Sequence, residues 1–476
     1  MSRKHILVNQ YENNINTIKE KLKNAYDVKY REITTSKGFV CAIFIDNMVD
    51  HAFLSDNILA PLLDSETLPE NIEQLKKEVI ESNVTDTVQT IDEAILNILS
   101  GNVILFFSFC EGILYCEVKG MNRRAIEQPI TETTIKGPRE GFVEDLAINI
   151  SLIRRRIMNP GLKIEDFRLG GHSQIGVALI YLEQHAPEKL VTFIRTKIKM
   201  MQNRHFVFAI NNIEEELRSK NTFFNTIGYS ERPDIIASNL SEGRVCVMVN
   251  GTPFVLIAPY FFIDHFMSPD DYYNNMFIGS FDRILRWLAF SIAMILPALY
   301  LALTTYHFKL IPTVLVFRVA VLRSGVPFNT VIEIFIMYFF FLILREAGIR
   351  LPSPIGQAIS IFGALILGDA AIGAGLTSQI TVLVVALSSI CTFLIPTLFN
   401  ATVVWTSVLL LFTALSGLPG FYIAFIMFIS HIAGLTTCGY PFLYPLGTLT
   451  TFKFRDIFYR KKLKDISNNI LHGDEK

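Results

Sequence analysis

Two carboxylates stand where a carboxylate is costly. Glu333 lies within the apolar run Phe328 to Leu344, and Asp369 follows Gly368 near the end of a second run, Ile355 to Ala371. An ionisable group in lipid faces a bundle interior or water, so each is a candidate for handling ions. Glu333 reads either as a pore or gating carboxylate or as one half of an ion pair with Arg318 or Arg323. Asp369 reads either as one member of a carboxylate ring favouring cations in an oligomer, or as a cap on the turn before Gly373. Between them, Gly356, Ser360, Gly363 and Leu367 share one helical face, and Ile355, Ile359, Phe362 and Ile366 share the opposite one. The small face suits close helix packing; the bulky stripe suits a dewetting gate. The pore or gate candidates are therefore Glu333, Gln357, Ile359, Ser360, Phe362, Gly363, Ile366 and Asp369.

Catalytic motifs fail on inspection. Gly171-His172-Ser173-Gln174 begins like a nucleophile elbow, but Ile175 stands where the second glycine belongs. There is no GxxxxGK[ST] phosphate loop and no HExxH pair. The cysteines Cys41, Cys110, Cys116, Cys246, Cys391 and Cys438 lack metal-ligand spacing and read as reduced packing residues. The expectation is a chain that is not an enzyme, with no cofactor and no metal. The run Arg154, Arg155 and Arg156 reads as a solvated face, or as a subunit contact whose forks pair with a neighbour's carboxylates. Arg139, Glu140, Arg232 and Asp234 join the same subunit-contact candidates, although Glu231-Arg232-Pro233-Asp234 also reads as an ion-paired turn. His431, alone in an apolar span, is expected to make one interhelical hydrogen bond.

The elements that must position these residues fall into two halves. Charge is dense up to Arg286; from Ala370 to Phe452 there is no Asp, Glu, Lys or Arg. Such a stretch belongs in lipid. The first span expected is Trp287 to Tyr306, kinked by Pro297. Further apolar segments are Phe328 to Leu344, Ile355 to Ala371, Leu376 to Ile395, Ala401 to Leu415 and Phe421 to Thr437. Arg283 and Arg286 precede the spans and a basic run follows Phe452, so both termini are expected in the cytosol, with four or six crossings. The stretch Lys309 to Arg323 carries three basic residues and suits an interfacial helix. Met1 to Gln10 lacks the apolar core and cleavage site of a secretory signal. A net charge of −1 offers no basic field for nucleic acid.

In the first half, Phe39 to Ile45, Val103 to Phe109, Ile113 to Val118, Val177 to Tyr181 and Val245 to Val249 pattern as strands. Asn14 to Lys23, Asp92 to Leu99, Glu144 to Ile157 and Glu188 to Met201 pattern as helices. The expected fold is an α/β soluble N-terminal half of two subdomains, 1–125 and 126–283, joined to an α-helical multi-span membrane domain at 284–452 and a basic cytosolic tail at 453–476.

Three blocks carry a resemblance. GPREGFVEDLAINISLIRRRI from Gly137 to Ile157, SERPDIIASNLSEGRVCVMVNGTPFVLIAP from Ser230 to Pro259, and the stretch from Gly325 to Leu376 occur in order. Together they resemble the GerA-type spore germination protein family. Asn250 stands where an Asp is common, and Ser324, Tyr338, Leu342 and Ala147 replace residues often charged there. The resemblance implies the A subunit of a germinant receptor in the spore inner membrane, partnered by a transporter-like B subunit and a lipoprotein C subunit. It also implies a homo-oligomer forming a nutrient-gated channel that releases monovalent cations. The alternatives are an accessory spore channel of the SpoVA-operon type and a secondary transporter.

Overall fold

The computed structural model describes residues 3–82, 84–118, 120, 129, 132, 134, 136–202, 209–219, 222–350, 366–446 and 456–460. The chain forms two compact units. One holds Met1–Arg218 and Ile227–Pro259; the other holds Ser219–Thr226 and Tyr260–Ile466.

The first unit is built on two antiparallel five-stranded sheets. In the first sheet β1 (Val28–Thr34), β2 (Phe39–Ile45), β3 (Thr85–Val88), β4 (Val103–Phe107) and β5 (Ile113–Cys116) lie in the order β1-β2-β4-β5-β3. The central strands are apolar throughout because both faces are covered. Val40, Ala42, Phe44, Val103, Leu105 and Phe107 enter one core, while Cys41, Ile43, Ile45, Ile104 and Phe106 enter the other, as the two-residue side-chain period requires. Helices α1 (Arg3–Lys21) and α2 (Ile91–Leu99) cover the second of these faces.

The second sheet repeats the first. Here α3 (Leu146–Arg156) precedes β6 (Leu162–Leu169) and β7 (Ile175–Leu182); α4 (Glu188–Met201) and α5 (Ala209–Leu217) follow. Then come β8 (Gly228–Ser230), α6 (Pro233–Ser241), β9 (Val245–Val249) and β10 (Val255–Ala258), in the sheet order β6-β7-β9-β10-β8. The strand order is the same in both sheets once each is numbered from its own first strand. A constant chain offset relates Asp92 to Asp234, Asn97 to Asn239, Gly101 to Gly243, Val103 to Val245 and Leu114 to Leu256. The local geometry follows suit. Asn97 and Asn239 each bond back to the carbonyl four residues earlier, and each accepts at its own carbonyl the N–H of the residue entering the next strand. Gly101 and Gly243 both take positive φ, 85° and 90°, where a Cβ would be strained.

In the second unit, the helices of ten residues or more among the described residues are α7 (Met276–Leu301), α8 (Thr313–Leu322), α9 (Thr330–Arg350), α10 (Gln379–Phe393), α11 (Phe399–Ser416) and α12 (Leu418–Gly434), with residues 366–373 also helical. Among the described residues two stretches are long and apolar enough to cross a membrane, Met276–Tyr306 and Pro396–Ser416; α8, α10 and α12 are apolar but shorter. Pro297 inside α7 removes the N–H that would bond Ala293. The orphaned Ala293 carbonyl instead accepts from Ser388 Oγ at 2.7 Å and Thr406 Oγ1 at 3.4 Å, so neighbouring helices repair the break. The chain turns from α11 into α12 through Gly417, at φ 66°.

The loop Ser219–Thr226 contributes to this helical unit. Phe224 is 1% exposed and packs among Phe262, Phe428 and Phe442. His431 pairs with this loop rather than with another helix, its Nε2 lying 3.1 Å from Thr222 Oγ1.

Candidate functional site

Glu333 sits in the first turn of α9, whose preceding residue Asn329 accepts the Ile332 N–H at 3.0 Å. The positive end of a helix dipole favours a carboxylate there. A second helix start converges on it. Ser378 caps α10 by accepting the Thr381 N–H, and Glu333 Oε2 accepts from Ser378 N at 3.0 Å, Ser378 Oγ at 3.0 Å and Thr381 Oγ1 at 2.9 Å. Tyr300 of α7 extends the chain of hydroxyls, its OH lying 3.2 Å from Thr381 Oγ1. The other carboxylate oxygen, Oε1, accepts from Arg323 Nη2 at 3.1 Å. Glu333 is fully buried, while a quarter of the Arg323 side chain is exposed. Of the two arginines expected as partners for Glu333, Arg323 makes the pair.

The other pore candidates divide. Ile366 and Asp369 are exposed within helical residues 366–373. Gln357, Ile359, Ser360, Phe362 and Gly363 lie outside the described residues.

Arg283 and Arg286, the basic residues expected before the first span, are paired with carboxylates of their own unit. Arg283 bonds Asp271 at 3.1 Å and Asp456 at 2.8 Å, and Arg286 grips Asp271 through both terminal nitrogens. Beside this cluster, burial pushes His265 down to about 4, against the opposing pull of Asp264 and of the Asn225 carbonyl that its ring contacts at 3.0 Å. His265 is therefore neutral at physiological pH.

In the first unit the arginine candidates have partners within the chain. Arg154 is wholly buried; Nε and Nη2 fork onto Asp27 at 2.8 and 2.9 Å, and Nη1 donates to Leu162 O. Arg155 and Arg156 share Glu140, at 3.1 and 3.0 Å. Arg139 is exposed.

Arg232 precedes α6, whose first residue Pro233 needs no N–H partner and whose Asp234 suits the helix start. Its guanidinium forks onto Asp234 and donates to Glu132 O, Thr134 Oγ1 and Pro138 O. Phe142 N donates to Glu231 O, Asn149 bonds both backbone groups of Val143, and Asn250 Oδ1 accepts the Leu146 N–H. The connector from 132 to 146 is thus clasped from both sides. Burial raises the Glu132 carboxyl, partly offset by the Ser230 hydroxyl and Glu231 N–H that it accepts.

The model of the Bacillus/Clostridium GerA spore germination protein family matches residues 16–469. The chain belongs to that family. Within it, spore germination protein KA of Bacillus subtilis (strain 168) is 34% identical, over 94% of this chain and 84% of its own length. The uncharacterized membrane protein YfkQ of the same organism is also 34% identical, over 93% and 88%. Among solved structures, the N-terminal domain of the A subunit of the Bacillus megaterium spore germinant receptor GerK3 is 25% identical. It covers 53% of this chain and 95% of that one, with a TM-score of 0.38.

In this GerA-family chain, the blocks Gly137 to Ile157 and Ser230 to Pro259 do structural work on each other. Asn250 reads the start of α3, where an aspartate would also accept that N–H. Sequence reasoning missed Asp27, Ser378, Thr381 and Tyr300. Asp27 carries no local signal. Ser378, three residues before Thr381 at the start of an apolar run, has the spacing of a helix cap and could have been found.

Proposed function

We propose that the chain is the A subunit of a spore germinant receptor whose helical unit assembles, copy with copy, into a nutrient-gated path releasing monovalent cations during germination. Membership of the GerA family and the likeness to spore germination protein KA support a role in spore germination. The observation that carries the channel reading is Glu333, a fully buried carboxylate ringed by hydroxyls among apolar helices. An ionisable group in lipid is by default a functional candidate, and the ion pair of Glu333 with Arg323 is compatible with a gate.

The helical unit is read as multi-pass in the spore inner membrane, with both termini cytosolic and four to six spans between 284 and 452. Its outward apolar faces support contact with lipid or other subunits: Phe339 and Ile343 on α9, Leu411 and Leu415 on α11, and Ile423 and Ile426 on α12 are exposed. A transporter-like B subunit and a lipoprotein C subunit are the partners in this reading. For contacts between copies, Arg139, Glu140, Arg155 and Arg156 are the accessible candidates, since Arg154, Arg232 and Asp234 are buried on partners of their own chain.

The test is reconstitution of the full chain in liposomes, with and without the B and C subunits, followed by cation flux. Flux that depends on nutrient when the partners are present is expected. Absence of flux under every condition overturns the channel; substrate counterflow in its place would establish a transporter.

A further inference from the structure

Arg323 holds its carboxylate loosely compared with the other buried pairs. Arg154 and Arg232 fork onto their aspartates and spend their remaining donors on backbone or hydroxyl oxygens. Arg323 makes one hydrogen bond, Nη2 to Glu333 Oε1, among the described residues, and its buried Nε–H has no partner. It stands at the end of α8, a helix none of whose residues is buried, so its withdrawal would open no apolar core. Glu333, by contrast, is pinned. Oε2 is fixed by Ser378 and Thr381, which leaves Oε1 presented to whatever cation lies beside it. Thr377, next to Ser378 in the chain and 1% exposed, has a buried hydroxyl without a partner.

We propose that Oε1 of Glu333, on a carboxylate that the Ser378 and Thr381 hydroxyls hold through Oε2, is a binding site for a monovalent cation that Arg323 occupies as a tethered substitute. The inference rests on the reading of the helical unit as a cation path. Alkali cations take oxygen ligands, and Oε1 of Glu333 is the oxygen that the guanidinium now covers. A buried carboxylate left alone is heavily penalised. Exchange of guanidinium for a free monovalent ion keeps the charge balanced at every stage, so Arg323 works as a plug that a permeant ion of equal charge replaces.

The experiment uses the full chain in detergent and in liposomes. Thermal melting of the wild type and of Arg323→Ala is compared in potassium, sodium, millimolar guanidinium and choline chlorides at equal ionic strength. Arg323→Ala is expected to gain a melting shift with potassium, sodium or guanidinium that choline does not give, while the wild type gains none. Adding Glu333→Gln should raise the half-saturating concentration about tenfold or more, tenfold being the equivalent of about 1.4 kcal/mol. A response of Arg323→Ala no larger than that to choline overturns the site. Should Arg323→Ala not fold in choline, recovery of folded protein on purification in guanidinium or alkali chloride is expected, and failure to recover it in any of them also overturns the site. Flux through the same liposomes separates the two readings: binding without flux overturns the channel and keeps the site, whereas flux without ion-specific melting shifts does the reverse.

Discussion

Asp27 and Arg154, far apart in the chain, meet in a two-bonded fork with no solvent exposure on either side chain. Asp27 belongs to the segment leading into β1 and Arg154 to the last turn of α3, so the pair joins the two repeats of the first unit. The backbone reinforces it: Tyr26 N donates to Ile164 O and Ile164 N to Asn24 O, across the start of β6. Removing one partner strands a buried charge. Arg154→Ala should destabilise by about 3–5 kcal/mol. Arg155, with a side chain 35% exposed and a carboxylate shared with Arg156, should lose less than about 1 kcal/mol on the same change because solvent screens the pair. Urea unfolding of the two variants measures the contrast, and equal losses would refute the ranking.

Gly420 of α12 lies so near α11 that an added Cβ would meet the Phe412 carbonyl oxygen. Backbone cannot yield as a side chain end does, so Gly420→Ala should cost about 1–3 kcal/mol. Gly434, at the end of the same helix, has no such neighbour within 4 Å, and Gly434→Ala should leave the melting temperature in detergent nearly unchanged.

Acid should weaken the protein through His265. Burial holds its folded value at about 4, below the ordinary 6.5. The unfolded chain therefore binds the extra proton first, and stability falls as pH drops from about 6.5 through 4, by up to about 3 kcal/mol. His265→Gln should flatten that part of the pH profile of thermal melting; a profile as steep as the wild type's would assign the acid sensitivity elsewhere.

Asp369 is exposed in the helical residues 366–373. If its carboxylates ring a path between copies, Asp369→Asn should move reversal potentials in a cation gradient toward zero selectivity. Unchanged potentials would remove Asp369 from the ion path and leave it as an exposed helix residue.

Much of the first unit was legible because its signals are local. The apolar run Phe39 to Ile45 patterns as a strand covered on both faces, and α2 announces itself through Thr90 and Glu93 at capping spacing. The internal repeat was not legible, because the shared Asp-x4-Asn-x3-Gly spacing before β4 and β9 is too sparse to signal a repeat by itself. The backbone roles of Asn97 and Asn239 had to be seen before the spacing carried meaning. The triple arginine shows the opposite limit. Three adjacent residues of one type have three environments, because a helix rotates each by about 100° and only Arg154 faces the core.

The residues alone determined the division between a charge-dense α/β half and an apolar one in which Ala370 to Phe452 carries no Asp, Glu, Lys or Arg, since local patterning follows directly from what water and lipid tolerate. They also determined family membership, through motifs that keep their order. Only the tertiary structure decided which partner each charged group takes. Glu333 finds Arg323, Ser378 and Thr381, and His431 finds Thr222, because a buried polar group must be satisfied by whatever the fold brings within about 3 Å. Chain separation carries no trace of that proximity.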